Sequence, residues 1–212
     1  MRSVLNLLIP VCGYICNPVQ VEGNARYIDT ADFVLVREKD GIALYERWYA
    51  VTADQQAREV KAIFHVKSRP QAAVALIKDE TKAMQWNRNT ESYRILPESE
   101  NVWFGYIQYD LPWPVSNQDC VLKYEQNTLH NSLLIEFSET DHPSFPLKKR
   151  VQRIPQISGK WIIAETDDGI LVEYYITTTP SDTLPTWLTD PIIRNNLIET
   201  LQHFRTILEA NR

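Results

Sequence analysis

The 212-residue chain predicts an α+β fold, in which a curved antiparallel β-sheet wraps around a long C-terminal α-helix, with either a solid core or an internal apolar cavity between them. Two observations carry that expectation. Strand-like runs follow one another from about residue 92 to 180 with no helical signal between them, and the chain closes on an amphipathic stretch with three- and four-residue apolar steps. A third, "RPQAAVALIKDETKAMQW", sets Pro70 at a helix start and Ala73, Val74, Ile77 and Met84 along one side, as a helix crossing the sheet would require.

The N-terminus differs from the rest. Arg2, the apolar "VLNLLIPVCGYIC" and the small residues of "VEGNA" have the outline of a secretory signal peptide cut after Ala25. The segment is short for a membrane span and carries Pro10 and Pro18. Residues 1–25 are therefore expected to be a signal and 26–212 the domain, which makes the mature protein exported, periplasmic or extracellular. An uncleaved, membrane-associated N-terminus is the alternative. After the cut only Cys120 remains, so no internal disulfide can form.

Two strands come first in the domain, "IALYERWYAV" (42–51) and "REVKAIFHVKS" (58–68), and they pair as neighbours; Val60, Ala62, Phe64 and Val66 share one face. After the helix from Pro70 the strand-like runs are 92–98, 102–111, 119–126, 133–139, 159–166 and 170–180. Short connections with Asn127, Asn131 and Asp167-Asp168-Gly169 make them an antiparallel meander. In the closing helix Ile193, Leu197, Leu201, Phe204 and Leu208 form the apolar stripe. From residue 26 onward no repeat or Gly/Ser linker marks a second domain.

A net charge of −5 excludes a broad basic surface, so nucleic acid is not an expected partner and any membrane contact is apolar and transient. A monomer is expected. Between helix and sheet the core can be solid or hollow, and periodicity fits both. Bulky Trp103, Tyr124, Phe137 and Tyr174 alternate with small or polar Gly105, Cys120 and Thr178, a combination that suits a partly filled cavity. Lys123 and Glu125 face water, which turns Leu122 and Tyr124 inward. The candidate ligand-binding residues are accordingly Trp103, Gly105, Ile107, Leu122, Tyr124, Phe137, Tyr174, Ile176, Leu197, Leu201 and Phe204.

"LPWPVSNQDCV" (111–121), "QWN" (85–87) and "SGKWIIAETDDGILVEYYITTTPSDTLPTWL" (158–188) resemble, in order and spacing, segments of the START family, the steroidogenic acute regulatory protein-related lipid-transfer domains. The resemblance runs from about residue 35 to the C-terminus. It implies a helix-grip fold whose last helix is a lid over a tunnel holding one lipid or other hydrophobic small molecule. In the opening of that stretch, Pro112 and Pro114 cannot donate ladder hydrogen bonds and end a strand, while Asp119 can accept backbone hydrogen bonds where the next one restarts. The acidic residue and Arg that several sterol-binding members carry in the tunnel fall on Gly105 and Tyr124 here, so the polar pair is absent. The family's glycine pair before the terminal Leu-Pro is replaced by Ser181-Asp182-Thr183. The loop from Pro180 to Pro185 and the terminal helix, hinged between Pro185 and Pro191, are expected to gate the tunnel.

The same architecture also hosts cyclases and hydrolases, which makes an enzyme acting on a hydrophobic substrate the alternative and a ligand-free interaction module a third reading. No nucleophile elbow, phosphate loop or zincin motif is present, so no catalytic residue, metal or cofactor is assigned. Glu136, Glu139, Asp141 and His142 are read as solvated charges, His65 and His203 as structural, and Lys148-Lys149-Arg150 as a solvated strand start.

Overall fold

The computed structural model describes residues 32–52, 55–111, 113, 116–179 and 186–210, with the side chains of 186–190 and 192 outside the description. The expected signal peptide, Pro112, Pro114 and the loop Pro180 to Pro185 therefore lie outside the described residues.

Among the described residues ten strands form one sheet. They are β1 (Val34–Lys39), β2 (Ile42–Ala50), β3 (Gln56–Val66), β4 (Thr90–Pro97), β5 (Val102–Tyr109), β6 (Gln118–Leu129), β7 (Ser132–Glu139), β8 (Gln152–Arg153), β9 (Ser158–Thr166) and β10 (Gly169–Thr178). The order across the sheet is β1-β2-β3-β10-β9-β7-β6-β5-β4, with β8 pairing β6 off this path. All six expected runs of the meander are strands, and β2 pairs β3 antiparallel. Two strands went unread in the sequence. Charged Arg37, Glu38 and Lys39 obscure the alternation of β1, and β8, at two residues, is too short to show one.

Register fixes which side chains share a face. One rung runs Trp103–Tyr124–Phe137–Gly159–Ile176–Val60–Glu46, each residue opposite the next on the neighbouring strand. The next rung runs Trp161–Tyr174–Ala62–Leu44. Because side chains alternate between faces, both rungs and the buried Ile107, Cys120 and Leu122 look inward, while Phe104, Tyr106 and Lys123 look outward. Gly159 is required by this packing: a Cβ there would lie 2.1 Å from the Tyr175 carbonyl oxygen and 2.5 Å from the Phe137 ring.

Three helices, α1 (Pro70–Ile77), α2 (Glu80–Trp86) and α3 (Thr186–Ala210), accompany the sheet. The single crossing helix expected from Pro70 is instead two. Asp79 sits in an extended conformation and its carboxylate accepts the Lys82 backbone N–H at 2.9 Å, which starts α2 as a new helix. The break turns Met84 outward to 46% exposure and seats Trp86 in the core. Among the described side chains of α3, Ile198, Leu201, Phe204 and Leu208 are buried. Ile198 was not on the expected stripe, and Ile193, which was, is 44% exposed.

The segment after β7 covers part of the outer face. Phe145 stacks on Tyr106 at 5.3 Å and His142 packs on Phe104 at 4.5 Å. Lys148 donates to the Gln108 side chain at 2.7 Å, and it lies in a turn ahead of β8 rather than at a strand start. Asp119, buried, takes a bidentate contact from Arg153 at 2.6 and 3.2 Å. Its carboxylate therefore holds a guanidinium instead of the expected backbone N–H groups, since strand pairing already satisfies the backbone there.

Candidate functional site: the space between sheet and terminal helix

The inward aromatic rings form a connected circuit. Trp103 and Tyr124 stack nearly parallel at 5.1 Å, Tyr124 meets Phe137 at 5.4 Å, Phe137 meets Tyr174 at 6.1 Å and Tyr174 meets Trp161 at 4.2 Å. Trp161 then meets Phe204 of α3 at 5.2 Å, and Phe204 meets Trp86 of α2 at 5.1 Å. Gly105 leaves room for the Tyr124 ring, whose Cε2 lies 2.8 Å from where a Cβ would stand. The structure thus places Trp103, Gly105, Ile107, Leu122, Tyr124, Phe137, Leu201 and Phe204 buried in one interior. Tyr174, Ile176 and Leu197 pack against it half-buried.

Burial along this interior is graded. Successive residues of a helix turn by roughly 100°, so Ile193, Leu197 and Phe204 point within roughly 40° of one another. Phe204 is fully buried, Leu197 half-buried and Ile193 exposed, so the stripe persists while the surface facing it runs out toward the start of α3. The sheet shows the same gradient: on β10, Ile170 and Val172 are fully buried and Tyr174, Ile176 and Thr178 are not. Tyr109 and Tyr174 add a second sign. Burial among protein atoms pushes both phenols well above their ordinary range, yet both keep accessible surface.

At the exposed end of the gradient, α3 is tied to the sheet. Arg194 donates from Nε and Nη2 to the two carboxylate oxygens of Glu46 at 2.7 Å each, and Arg58 of β3 also donates to Glu46. Glu46 and Arg58 are both buried. Burial acts to raise the Glu46 carboxyl, but the hydrogen bonds and charges of Arg194 and Arg58 outweigh it and hold the group below its ordinary value. Cys120, buried on the inward face, has its thiol pushed up to about 12, chiefly by burial and then by the Asp119 charge.

Some of these residues were missed in the sequence. Tyr109 follows Trp103, Gly105 and Ile107 at strand parity, which is a signal the sequence carries; it stands at the end of its strand, next to the Pro-rich segment, where alternation is weakest. Tyr93 likewise faces inward opposite Ile107. The Glu46–Arg58–Arg194 group had no local signal, because its members are brought together from three elements. Among the described residues no cluster of His, Cys, Asp or Glu is arranged to hold a metal ion. The acidic residues near His142 instead take separate roles: Glu139 accepts the Gln156 N–H, and the His142 ring lies against Phe104. His65 lies 2.9 Å from Asp168 and 3.1 Å from the Thr166 hydroxyl, beside a hairpin turn.

A curved antiparallel sheet gripping a long terminal helix over an apolar, aromatic-lined interior defines a helix-grip protein. The chain belongs to the START domain family, whose model matches residues 36–212. It is 23% identical over 210 residues to an uncharacterized protein of Pseudomonas aeruginosa, covering 99% of each chain. Among solved structures it is similar to a STAR-related lipid transfer protein from Xanthomonas axonopodis, at 24% identity and a TM-score of 0.72, over 83% of this chain and 98% of that one. Human StAR-related lipid transfer protein 5 superposes with a TM-score of 0.74 at 13% identity, over 86% and 89% of the two chains. The Zhui aromatase/cyclase from Streptomyces gives 0.54 at 12% identity, over 72% and 94%. These structural likenesses establish the shared fold.

Proposed function

We propose that this protein binds a single lipid or other hydrophobic small molecule between the inner face of its sheet and α3, and exchanges it at a membrane through the end where α3 begins. The observation that carries the reading is the graded exposure of one apolar lining, from buried Phe204 and Leu201 through half-buried Leu197, Ile176 and Tyr174 to exposed Ile193. The apolar stripe thus continues past the point where the sheet covers it, which leaves an apolar face open at that end.

The surroundings of that end support membrane contact. The strand register puts the β2–β3 and β5–β6 connections and the end of β10 at the same edge of the sheet. That edge carries the exposed Trp48, Val51 and Trp113, the last 92% exposed, and no helix among the described residues is long and apolar enough to cross a membrane. Aromatic rings at such a rim suit the interfacial layer of a bilayer. Moving an acyl chain of about 16 methylenes out of water gains on the order of 13 kcal/mol, but from a bilayer into an apolar interior most of that cancels. The protein need only shield the chain during exchange, so opening of α3 sets the rate.

Mass spectrometry of organic extracts from the purified, natively folded protein tests the reading. A stoichiometric hydrophobic ligand, or one acquired from vesicles, is expected; a folded protein that acquires none refutes it. Chemical conversion of the acquired molecule would instead favour an enzyme. The N-terminal reading, export with loss of residues 1–25, is tested separately: N-terminal sequencing of protein from its native host should begin at Arg26, and an intact Met1 or an acylated Cys16 overturns it.

A further inference from the structure

We propose that the interior selects a ligand whose buried end is uncharged and carries a hydrogen-bond acceptor, such as an ester, ketone or hydroxyl oxygen, and that Tyr174 is the donor that reads it. This rests on the ligand-binding reading above and narrows the ligand's chemical class.

The inference starts from donors without acceptors. Tyr174 is clamped between Trp161 at 4.2 Å and Phe137 at 6.1 Å, at the half-buried part of the interior, and among the described residues its hydroxyl makes no hydrogen bond. The indole N–H groups of Trp86 and Trp103, in the same aromatic circuit, are buried and also lack partners. Buried polar groups ordinarily find partners, and a donor left without one is costly. By contrast the Tyr93 hydroxyl is spent on the Ile77 carbonyl at 3.2 Å. The aromatic circuit therefore holds buried indole donors whose acceptors the described residues do not supply.

The protonation states agree with this geometry. Burial holds the Tyr174 and Tyr124 phenols above their ordinary range and the Cys120 thiol up to about 12, so each stays neutral near pH 7. The charges that reach the inner face are placed elsewhere. Glu46, Arg58 and Arg194 stand together at the open end, and the Lys78 ammonium, 4.1 Å from the Trp103 ring centroid, is held by the Glu100 carbonyl and Gln126. A carboxylate or phosphate packed against the Trp161, Tyr174 and Phe137 rings would be partly desolvated and would meet aromatic faces, while the nearby guanidiniums are already engaged by Glu46, whereas a carbonyl or ester oxygen would lose little and gain a hydrogen bond. The Tyr174 donor thus favours a neutral lipid carried with its polar end inward.

The test incubates the protein with phosphatidylcholine vesicles doped with equal amounts of a diacylglycerol and a phosphatidic acid bearing the same acyl chains. The protein is re-isolated and its bound lipid measured by mass spectrometry. Diacylglycerol is expected to be enriched over phosphatidic acid, and Tyr174→Phe, which keeps the ring and its stacking, should lower diacylglycerol uptake about five-fold, the effect of losing one ordinary hydrogen bond. Tyr106→Phe, which removes a hydroxyl on the outer face, should leave uptake unchanged and controls for loss of a phenol as such. Equal uptake of the two lipids, a preference for phosphatidic acid, or a Tyr174→Phe protein that takes up diacylglycerol like the parent overturns the inference while leaving lipid binding intact. Uptake of no lipid by the folded parent overturns the binding reading itself and this inference with it.

Discussion

Replacing Glu46 with Gln tests how α3 is fastened to the sheet. The carboxylate is 4% exposed and accepts two hydrogen bonds from Arg194 of α3 and one from Arg58 of β3. Gln keeps the size but removes the charge that both guanidiniums share, leaving two like charges facing one another. Breaking a buried ion pair costs about 3–5 kcal/mol. The Arg194 side chain is 28% exposed, so solvent screens its share, and about 2–4 kcal/mol is the expected loss. For a chain of this size that corresponds to a fall in melting temperature of about 5–15 °C. The pH dependence follows from the lowered Glu46 pKa. A carboxyl whose folded value lies below its ordinary 4.5 contributes stability that is present above 4.5 and is lost as pH falls through the folded value. Thermal melts followed by circular dichroism should therefore show a constant gap between parent and variant at neutral and mildly acidic pH, closing below about pH 4.5. A Glu46→Gln protein that melts with the parent at pH 7, or a gap that persists in acid, would refute the assignment of this group as the fastening of α3.

Three further outcomes are expected. Gly105→Ala pushes the Tyr124 ring off its stack on Trp103, because the new Cβ stands 2.8 Å from Cε2, and should cost about 1–3 kcal/mol by overpacking while reducing ligand uptake; a chemical-denaturation midpoint equal to the parent's would contradict the packing. A disulfide tying α3 near Leu201 to a facing strand should abolish lipid transfer between vesicles in a protein that stays folded, and transfer at the parental rate would mean that the ligand enters elsewhere. Cys120, buried and with its thiol pushed up to about 12, should resist alkylation by iodoacetamide at pH 8 until the protein is unfolded in denaturant; rapid modification of the native protein would mean the interior is open to water at that point.

Legibility in the sequence followed the range of the interactions involved. Alternation over 102–109 and 118–129 reports which face a side chain takes, because that depends only on the pleat of its own strand, and it placed Trp103, Ile107, Leu122 and Tyr124 inward. The closing helix was legible for the same reason. The break at Asp79 was also local, a capping residue followed by Glu80, but Ala, Met and Trp beyond it continue a helical pattern that hides the cap.

What the sequence determined by itself was therefore most of the elements and their order, the meander and the inward faces, with β1, β8 and the break between α1 and α2 missed, and what it determined is the product of backbone geometry acting over a few residues. Tertiary structure alone decided that β10 closes on β3, which joins the N-terminal hairpin to the meander and completes the rung from Trp103 to Glu46. It also decided that Glu46, Arg58 and Arg194 meet, and that Ile193 is exposed and Leu197 half-buried on a stripe whose later members are buried. Exposure and ion pairing depend on what stands opposite a side chain, and a residue's own spacing carries no information about a partner more than a hundred positions away.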